Sequence, residues 1–141
     1  MKKALYLSII CVALGATGCL NKQNVTSEIQ LVSAQEMLDI IEQEDVQLVD
    51  VRTPQEYNEG HIVNSQNIDY SSPNFDEEVK QLDKTKPVIL YCKSGGRSAD
   101  CAKKLKEAGF KKIYDLDGGI SKWQHSEEVQ LDISVREKTQ P

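Results

Sequence analysis

The chain has 141 residues, enough for one domain of ordinary size and too few for two that fold independently. Hydrophobic residues make up 39% and charged residues 28%, which excludes a collagen-like, wholly disordered or multi-span membrane protein. The formal charge of −5 disfavours a nucleic-acid partner, and four cysteines without a CxxC pair argue against a disulfide scaffold, a zinc ribbon or a thioredoxin-type site.

The first 18 residues have the pattern of an export signal. Lys2 and Lys3 precede an uncharged stretch at 4–16, and small residues then lead to Cys19. A helix of that length rises about 20 Å, less than the ~30 Å hydrocarbon core of a bilayer, which favours a cleaved signal over a permanent span. The residues around Cys19 resemble the lipobox of bacterial lipoproteins, in which cleavage exposes a cysteine that is then acylated.

That resemblance implies a protein of the bacterial cell envelope that faces the periplasm or the exterior. Its only attachment to the membrane would be the lipid on Cys19. Ala16-x-Gly18 also fits an ordinary signal-peptidase site, which would release a soluble periplasmic or secreted protein. Residues 19–28 are polar and unpatterned, and we expect them to form a tether between the anchor and the folded domain.

Residues 29–125 alternate between strand and helix patterns, as a parallel α/β sheet does. A short strand is expected at 29–31, and Ser33 with Glu36 predicts a capping box for a helix that runs to about Glu44. Further strands are expected at 46–51, 65–68, 88–91 and 112–116, and further helices at 54–59, 73–82 and 97–108.

The end of the chain carries a turn and an extension. The sequence Asp117-Gly118-Gly119 predicts a turn into a short segment that includes Trp123, which we expect to close the core. Residues 126–141 form a C-terminal extension, in which apolar and polar residues alternate at 129–135. This alternation predicts an edge strand, with a partner-binding segment as the alternative.

Cys92 follows a buried strand and therefore lies at the carboxyl end of the sheet, where ligands gather beside helix N-termini. Gly95 and Gly96 allow backbone amides to turn toward one point and form a nest for negative charge. Lys93 and Arg97 add positive charges, and the following helix adds its positive end. Together these features predict a Cys92 thiol with a lowered pKa that is nucleophilic at neutral pH.

Four motifs occur in order along the chain. They are Leu48-Val49-Asp50-Val51-Arg52, Glu56-Tyr57-x-x-Gly60-His61-Ile62, Cys92-x-x-x-Gly96-Arg97-Ser98 and Asp117-Gly118-Gly119-Ile120-x-x-Trp123. From about Ile29 to Trp123 the chain resembles the single-domain rhodanese (thiosulfate sulfurtransferase) family. The resemblance implies a three-layer α/β domain with a central parallel β-sheet flanked by helices, and a cysteine that carries sulfur as a persulfide. By that match Cys92 is the catalytic sulfur carrier, and its substrate-binding loop consists of Lys93, Ser94, Gly95, Gly96 and Arg97.

The length of this loop separates sulfur transfer from a related chemistry. Cys-dependent phosphatases use a loop one residue longer, because a tetrahedral phosphoryl group must be ringed by donors. Here four residues separate Cys92 from Arg97, and Tyr91 precedes the cysteine where those phosphatases usually carry His. The shorter loop favours a sulfane sulfur over phosphatase or arsenate reductase chemistry.

We therefore expect an exported sulfurtransferase. It would move a sulfane sulfur from thiosulfate or a similar small anion to a thiol, a protein thiol or cyanide through a Cys92 persulfide. Arg97 and Lys93 would orient the anionic donor, and the chemistry requires no metal or organic cofactor. The alternative is a persulfide carrier without turnover, or a protein-binding rhodanese-like module, in the cell envelope.

Other polar and thiol groups have structural interpretations. Cys101 shares a helix face with Ser98 and is expected in the core rather than as a resolving thiol for Cys92. Asp50 is expected to accept hydrogen bonds from neighbouring loop backbone. Arg52 and Glu56 are expected to form a local ion pair that steadies the second helix.

Overall fold

The computed structural model describes residues 27–123 and residue 125. The predicted signal at 1–18, the predicted acylation at Cys19, the predicted tether up to residue 26 and the extension at 126–141 lie outside these residues. The predicted α/β domain therefore lies almost entirely within the described part of the chain.

Five strands form one sheet in which every neighbouring pair is parallel. In chain order they are β1 (Glu28–Val32), β2 (Gln47–Asp50), β3 (Gln66–Asn67), β4 (Val88–Tyr91) and β5 (Lys112–Leu116). Their order across the sheet is β1-β5-β4-β2-β3. The predicted parallel sheet is confirmed, with one correction at its edge. Glu28 pairs with Lys112 and belongs to β1, so the tether ends before it.

Five described helices connect the strands or follow them. They are α1 (Ala34–Gln43), α2 (Pro54–Glu59), α3 (Phe75–Val79), α4 (Gly96–Glu107) and α5 (Gly119–Trp123). Of the helix predicted at 73–82, only α3 is helical, and turns flank it on both sides. No helix among the described residues is long and apolar enough to cross a membrane.

Both α1 and α2 begin with a capping box, as their sequences predict. The Ser33 hydroxyl accepts from the Glu36 amide, and the Glu36 carboxylate accepts from the Ser33 amide. Thr53 and Glu56 exchange the same two hydrogen bonds at the start of α2. Each box satisfies amide groups that lack a partner within the helix, which fixes where the helix begins.

The sheet is covered on both faces. Helices α3 and α4 pack on one face, where the buried residues include Phe75, Val79, Leu90, Cys101, Leu105 and Ile113. Helices α1 and α5 cover the other face, with Met37, Ile89, Tyr91, Leu116 and Ile120. Every residue of β4 is fully buried, because this strand lies at the centre of both layers. Its position explains the unbroken apolar run at 88–91. Cys101 is buried in the layer of α3 and α4, which confirms its predicted core position.

The strand order sets what surrounds Cys92. Strand β4 lies between β2 and β5, so the loop after β4 is flanked by the β2–α2 junction and by the turn between β5 and α5. Asp50 pairs with Tyr91 at the ends of β2 and β4, and the Val51 amide donates to the Tyr91 carbonyl at 3.0 Å. Three junctions that are far apart in sequence therefore meet at one edge of the sheet.

Candidate active site

The loop after β4 turns its backbone around the Cys92 sulfur. Gly95 has a φ of +97°, in the left-handed region that side chains disfavour. Its amide donates to the Cys92 Sγ at 3.1 Å. The backbone amides of Ser94 and Ser98 also hydrogen-bond to the sulfur and lower its pKa. The glycine-rich sequence thus forms the nest of amides that it predicts.

Ser98 adds a side-chain donor that the sequence analysis places only on the core face of α4. The residue is fully buried, and its hydroxyl lies 3.5 Å from the Cys92 Sγ and 3.1 Å from the Gly95 carbonyl oxygen. Burial raises the pKa of the Cys92 thiol, but hydrogen bonds from Ser98, Ser94 and Gly95 outweigh it and leave the pKa below its ordinary value. The signal for this contact is the position of Ser98 in the first turn after the loop, where a hydroxyl can face back toward the strand end.

Arg97 is engaged by a carboxylate rather than left free beside the sulfur. Its Nη1 lies 2.7 Å from the Glu56 Oε2 and its Nη2 lies 2.8 Å from the Glu56 Oε1. Hydrogen bonding from Arg97 lowers the pKa of Glu56 to about 2, and Glu56 raises the pKa of Arg97 in turn. The main causes that lower the pKa of Cys92 are hydrogen bonds, and the charge of Arg97 interacts with Cys92 more weakly.

The predicted ion pair between Arg52 and Glu56 is wrong. Arg52 instead binds the fully buried Asp50, with its Nη2 2.6 Å from Oδ2 and its Nε 2.9 Å from Oδ1, and also donates to the Gly60 carbonyl. A buried carboxylate needs a cation and several donors, and Arg52 supplies them from two residues away. The Arg52 backbone amide also donates to Asp50, which confirms Asp50 as an acceptor of loop hydrogen bonds.

The start of α5 supports the loop from the side of β5. The amides of Ile120 and Ser121 donate to the carbonyl oxygens of Cys92 and Lys93 at 2.9 and 3.0 Å. Gly119 has a φ of +63°, and a Cβ on it would lie 2.6 Å from backbone atoms of Cys92 and Lys93. Glycine is therefore required at 119 so that the turn can approach the strand end this closely.

A cavity of about 250 Å³ lies beside the loop at Lys93. Its lining residues are Arg52, Glu56, Glu59, Gly60, Lys93, Ile120 and Ser121. Within residues 27–123, Lys93 and Glu59 make no ion pair, whereas Arg52 and Glu56 are bound to Asp50 and Arg97. Glu59 accepts a hydrogen bond from the Gln55 side-chain amide at 3.2 Å. Among the described residues, Lys93 is therefore the charged group of the wall that is most available to a ligand.

A second buried carboxylate lies on the α4 side of β5. Asp115 is 3% exposed, and its Oδ1 has no hydrogen-bond partner among the described residues. Burial raises the pKa of Asp115 to about 6, and Ser98 lowers it in part through a hydrogen bond. The same carboxylate contributes to the raised pKa of Cys101. Sequence reasoning did not single out Asp115, because one acid in an apolar strand carries no spacing signal.

Of the five residues predicted for the loop, two hydrogen-bond to the sulfur, one begins α4, and two contact other groups. The amides of Ser94 and Gly95 hydrogen-bond to the Cys92 Sγ, and Gly96 begins α4 directly after them. Lys93 faces the cavity, and Arg97 faces Glu56. The site thus consists of a hydrogen-bonded thiol and, beside the next residue of the loop, a partly neutralised charged cavity.

Comparison with known proteins assigns the chain to a family. The rhodanese-like domain matches residues 33–126, about two thirds of the chain. This chain belongs to the rhodanese-like family. The match covers all the elements from α1 to α5, and with them the loop around Cys92.

Named relatives and solved structures agree with the family. The thiosulfate sulfurtransferase GlpE of Pseudoalteromonas translucida is 33% identical over 101 residues, which cover 70% of this chain and 94% of that protein. GlpE of Coxiella burnetii is 36% identical over 92 residues, covering 65% and 84%. The crystal structure of a rhodanese-related protein from Thermoplasma volcanium superposes with a TM-score of 0.60 at 33% identity, covering 67% of this chain and 90% of that one. The chain is therefore a rhodanese-type sulfurtransferase with the rhodanese fold.

Proposed function

We propose that this rhodanese-like chain transfers a sulfane sulfur through a persulfide on Cys92. The observation that carries the proposal is the sulfur itself, whose Sγ lies 3.1 Å from the Gly95 amide and 3.5 Å from the Ser98 hydroxyl. These donors stabilise the thiolate, which is the form of cysteine that attacks another sulfur. Thiosulfate is the donor named in the GlpE relatives and the one we propose to test first.

In the first half-reaction the Cys92 thiolate attacks the outer sulfur of the donor. A sulfur–sulfur bond forms to Sγ while the donor's own sulfur bond breaks, and the electron pair of the broken bond leaves with the departing group. With thiosulfate the leaving group is sulfite, and the terminal sulfur stays on Cys92 as a persulfide anion. The amides of Ser94 and Gly95 are placed to stabilise the negative charge before and after transfer.

In the second half-reaction an acceptor nucleophile attacks the terminal sulfur of the persulfide. The bond to Sγ breaks, its electron pair returns to Cys92, and the thiolate is regenerated. A thiol acceptor leaves as a new persulfide, and cyanide leaves as thiocyanate. The described residues supply the nucleophile and the hydrogen-bond donors, and no external oxidant or reductant is consumed in the cycle.

The test compares wild type with Cys92→Ser and Cys101→Ala. We expect wild type and Cys101→Ala to produce thiocyanate from thiosulfate and cyanide, and Cys92→Ser to produce none. Intact mass spectrometry after exposure to thiosulfate should show a gain of about 32 Da on Cys92 that a thiol reductant removes. Equal activity in wild type and Cys92→Ser would overturn the mechanism. Adduct formation without turnover would instead indicate the carrier function.

We also propose that the protein works in the cell envelope. The support is the sequence alone, namely the signal pattern at 1–18 and the lipobox-like residues before Cys19. The full chain with Cys19→Ala should leave the membrane fraction, because its lipid anchor would be lost. Retention of this variant on membranes would contradict acylation at Cys19.

A further inference from the structure

Most of the charged groups around the site are paired within the protein. Arg97 gives both of its terminal nitrogens to Glu56, and Arg52 gives three hydrogen bonds to Asp50. The Arg97–Glu56 pair is less than one third exposed, which makes it stronger than an ion pair on the open surface. A ligand that needs the Arg97 guanidinium must therefore displace a carboxylate held by two hydrogen bonds.

The cavity beside the loop offers little positive charge to a donor. Arg52 and Lys93 are the basic residues in its wall, and Glu56 and Glu59 are the acidic ones. With Arg52 committed to Asp50, Lys93 is the cation available among the described residues, and Glu59 is a carboxylate without an ion-pair partner there. The wall thus offers one cation to a donor, opposed by one carboxylate, and suits a donor with one negative charge better than a donor with two.

These charges treat two classes of sulfur donor differently. Thiosulfate carries two negative charges and approaches a thiolate, so its binding requires cations that are free to meet it. An organic persulfide, R–S–S⁻, carries one negative charge on its outer sulfur. Its organic group can also occupy a cavity of about 250 Å³, which a small inorganic anion does not fill. The site matches the second class better.

We propose that Glu56 is a specificity-determining residue that keeps the Arg97 guanidinium in an ion pair and so selects organic persulfides over thiosulfate. The inference rests on the sulfur-transfer function proposed above and names the substrate class of the same site. The Cys92 thiolate attacks the outer sulfur of R–S–S⁻, the donor's S–S bond breaks, and the electron pair leaves on R–S⁻. The outer sulfur stays on Cys92 as a persulfide anion, so atoms and charge balance without another reactant.

The chain contains a matched control for Glu56. Glu36 occupies the same third position of a capping box, at the start of α1, and hydrogen-bonds to Ser33 as Glu56 does to Thr53. Glu36 makes no ion pair with any residue at 27–123. Glutamine can cap a helix at this position as glutamate does. Glu36→Gln and Glu56→Gln therefore share the change in capping, and only Glu56→Gln releases Arg97.

The experiment measures the second-order rate constant for the 32 Da gain on Cys92, using thiosulfate and cysteine persulfide as separate donors. We expect Glu56→Gln to raise the thiosulfate rate constant about tenfold or more, the value of one charge-assisted hydrogen bond to the donor. The rate constant for cysteine persulfide should rise by a clearly smaller factor, because its outer sulfur brings one negative charge where thiosulfate brings two, and Glu36→Gln should change neither. An equal change for both donors in Glu56→Gln, or no change for either, would overturn the inference.

A second variant keeps the test decisive if Glu56→Gln does not fold. Glu59→Gln removes a negative charge from the cavity wall and leaves the Arg97–Glu56 pair in place. It should also raise the thiosulfate rate constant relative to that for cysteine persulfide, by a smaller factor. If the thiosulfate rate constant of this variant does not rise relative to that for cysteine persulfide, the inference is contradicted. If neither donor adds sulfur to Cys92 in wild type, the proposed sulfur-transfer function itself fails, which is a different result from a wrong preference.

Discussion

Cys92 and Cys101 are equally buried, yet their thiol pKa values are shifted in opposite directions. Each is 1% exposed, and burial is the largest influence on both. Burial alone raises a thiol pKa, and Cys101 follows that rule with a pKa of about 12. Cys92 departs from it because three backbone amides and a hydroxyl hydrogen-bond to its sulfur. The difference between the two thiol pKa values therefore follows from the orientation of the surrounding donors and not from exposure.

The contrast also shows why one of two cysteines in the same layer can serve as nucleophile. Cys92 follows a strand, where the loop backbone has free amides to offer. Cys101 lies within α4, whose interior amides are already used in the helix. A helix interior therefore gives a thiol an apolar wall and no donors, whereas a strand-to-helix junction can give it several.

Alkylation at neutral pH should separate the two thiols by the largest factor. With a pKa of about 12, only about one Cys101 in 10⁵ is ionised at pH 7, and we expect iodoacetamide to label Cys92 at least about a thousandfold faster. Peptide mapping of the full chain measures both rates. Comparable labelling of Cys101 in the folded protein would contradict the difference in pKa between the two thiols. As a control, Cys101→Ala should leave the labelling rate at Cys92 unchanged.

Gly119→Ala should remove much of the difference in reactivity between Cys92 and Cys101, because it displaces the loop around Cys92. A Cβ at 119 would lie 2.6 Å from the backbone of Cys92 and Lys93, so the loop must shift and its amides would lose their aim at Sγ. We expect the rate of persulfide formation to fall about a hundredfold, as when an enzyme loses a preorganised donor.

Gly109→Ala is the matched control for this loss. Gly109 also has a positive φ, +96°, but a Cβ there would meet nothing within 4 Å. It should cost about 1–2 kcal/mol of stability through backbone strain and leave sulfur loading intact. Similar loading rates in the two variants would show that the turn at 119 does not support the loop.

Ser98→Ala should weaken the thiolate by a smaller amount. Loss of the hydroxyl should raise the pKa of Cys92 and slow sulfur loading at pH 7 about tenfold, because a hydrogen bond to an anion is removed. Raising the pH should restore the rate, since the thiol then ionises without the hydroxyl. A defect that persists at high pH would mean that Ser98 acts mainly through packing.

Asp115 shows the effect of burial on a carboxyl group, which the pH dependence of the free energy of unfolding can measure. Its pKa is raised to about 6 from an ordinary value near 3.8, so the folded state binds the proton more tightly than the unfolded state. That contribution is fully present below pH 3.8 and is lost as the pH rises through 6, a decline of about 2–3 kcal/mol. Chemical denaturation at several pH values should show this decline in wild type and a flatter profile in Asp115→Asn. Identical pH profiles would contradict a protonated Asp115 in the core.

The elements of the fold could be read from local patterns, and their partners could not. Both capping boxes, the buried run of β4 and the glycine loop depend on residues within a few positions of one another, so spacing reveals them. The ion pair predicted between Arg52 and Glu56 is wrong because Arg52 pairs with Asp50 and Glu56 pairs with Arg97. Asp50 is only two residues from Arg52, but Arg97 is 41 residues from Glu56.

The roles of two residues near the thiol also depended on packing. Ser98 has the spacing of a core residue, and its hydroxyl reaches the Cys92 sulfur only because α4 starts directly after the loop. Asp115 sits in an apolar strand, and its raised pKa follows from burial beneath α4. Neither environment can be predicted from the residues next to Ser98 or Asp115 in the sequence.

The amino-acid order alone was enough to predict a parallel α/β domain and to single out Cys92 as the candidate nucleophile, because hydrophobic period, caps and adjacent glycines act over one or two turns of chain. The electrostatics of the site came from the assembled sheet. Strand β4 lies between β2 and β5, so Glu56 and Gly119 reach the loop from opposite sides. Charges and carbonyls interact over a few ångströms of space, whatever their separation along the chain, and only the folded arrangement determines those distances.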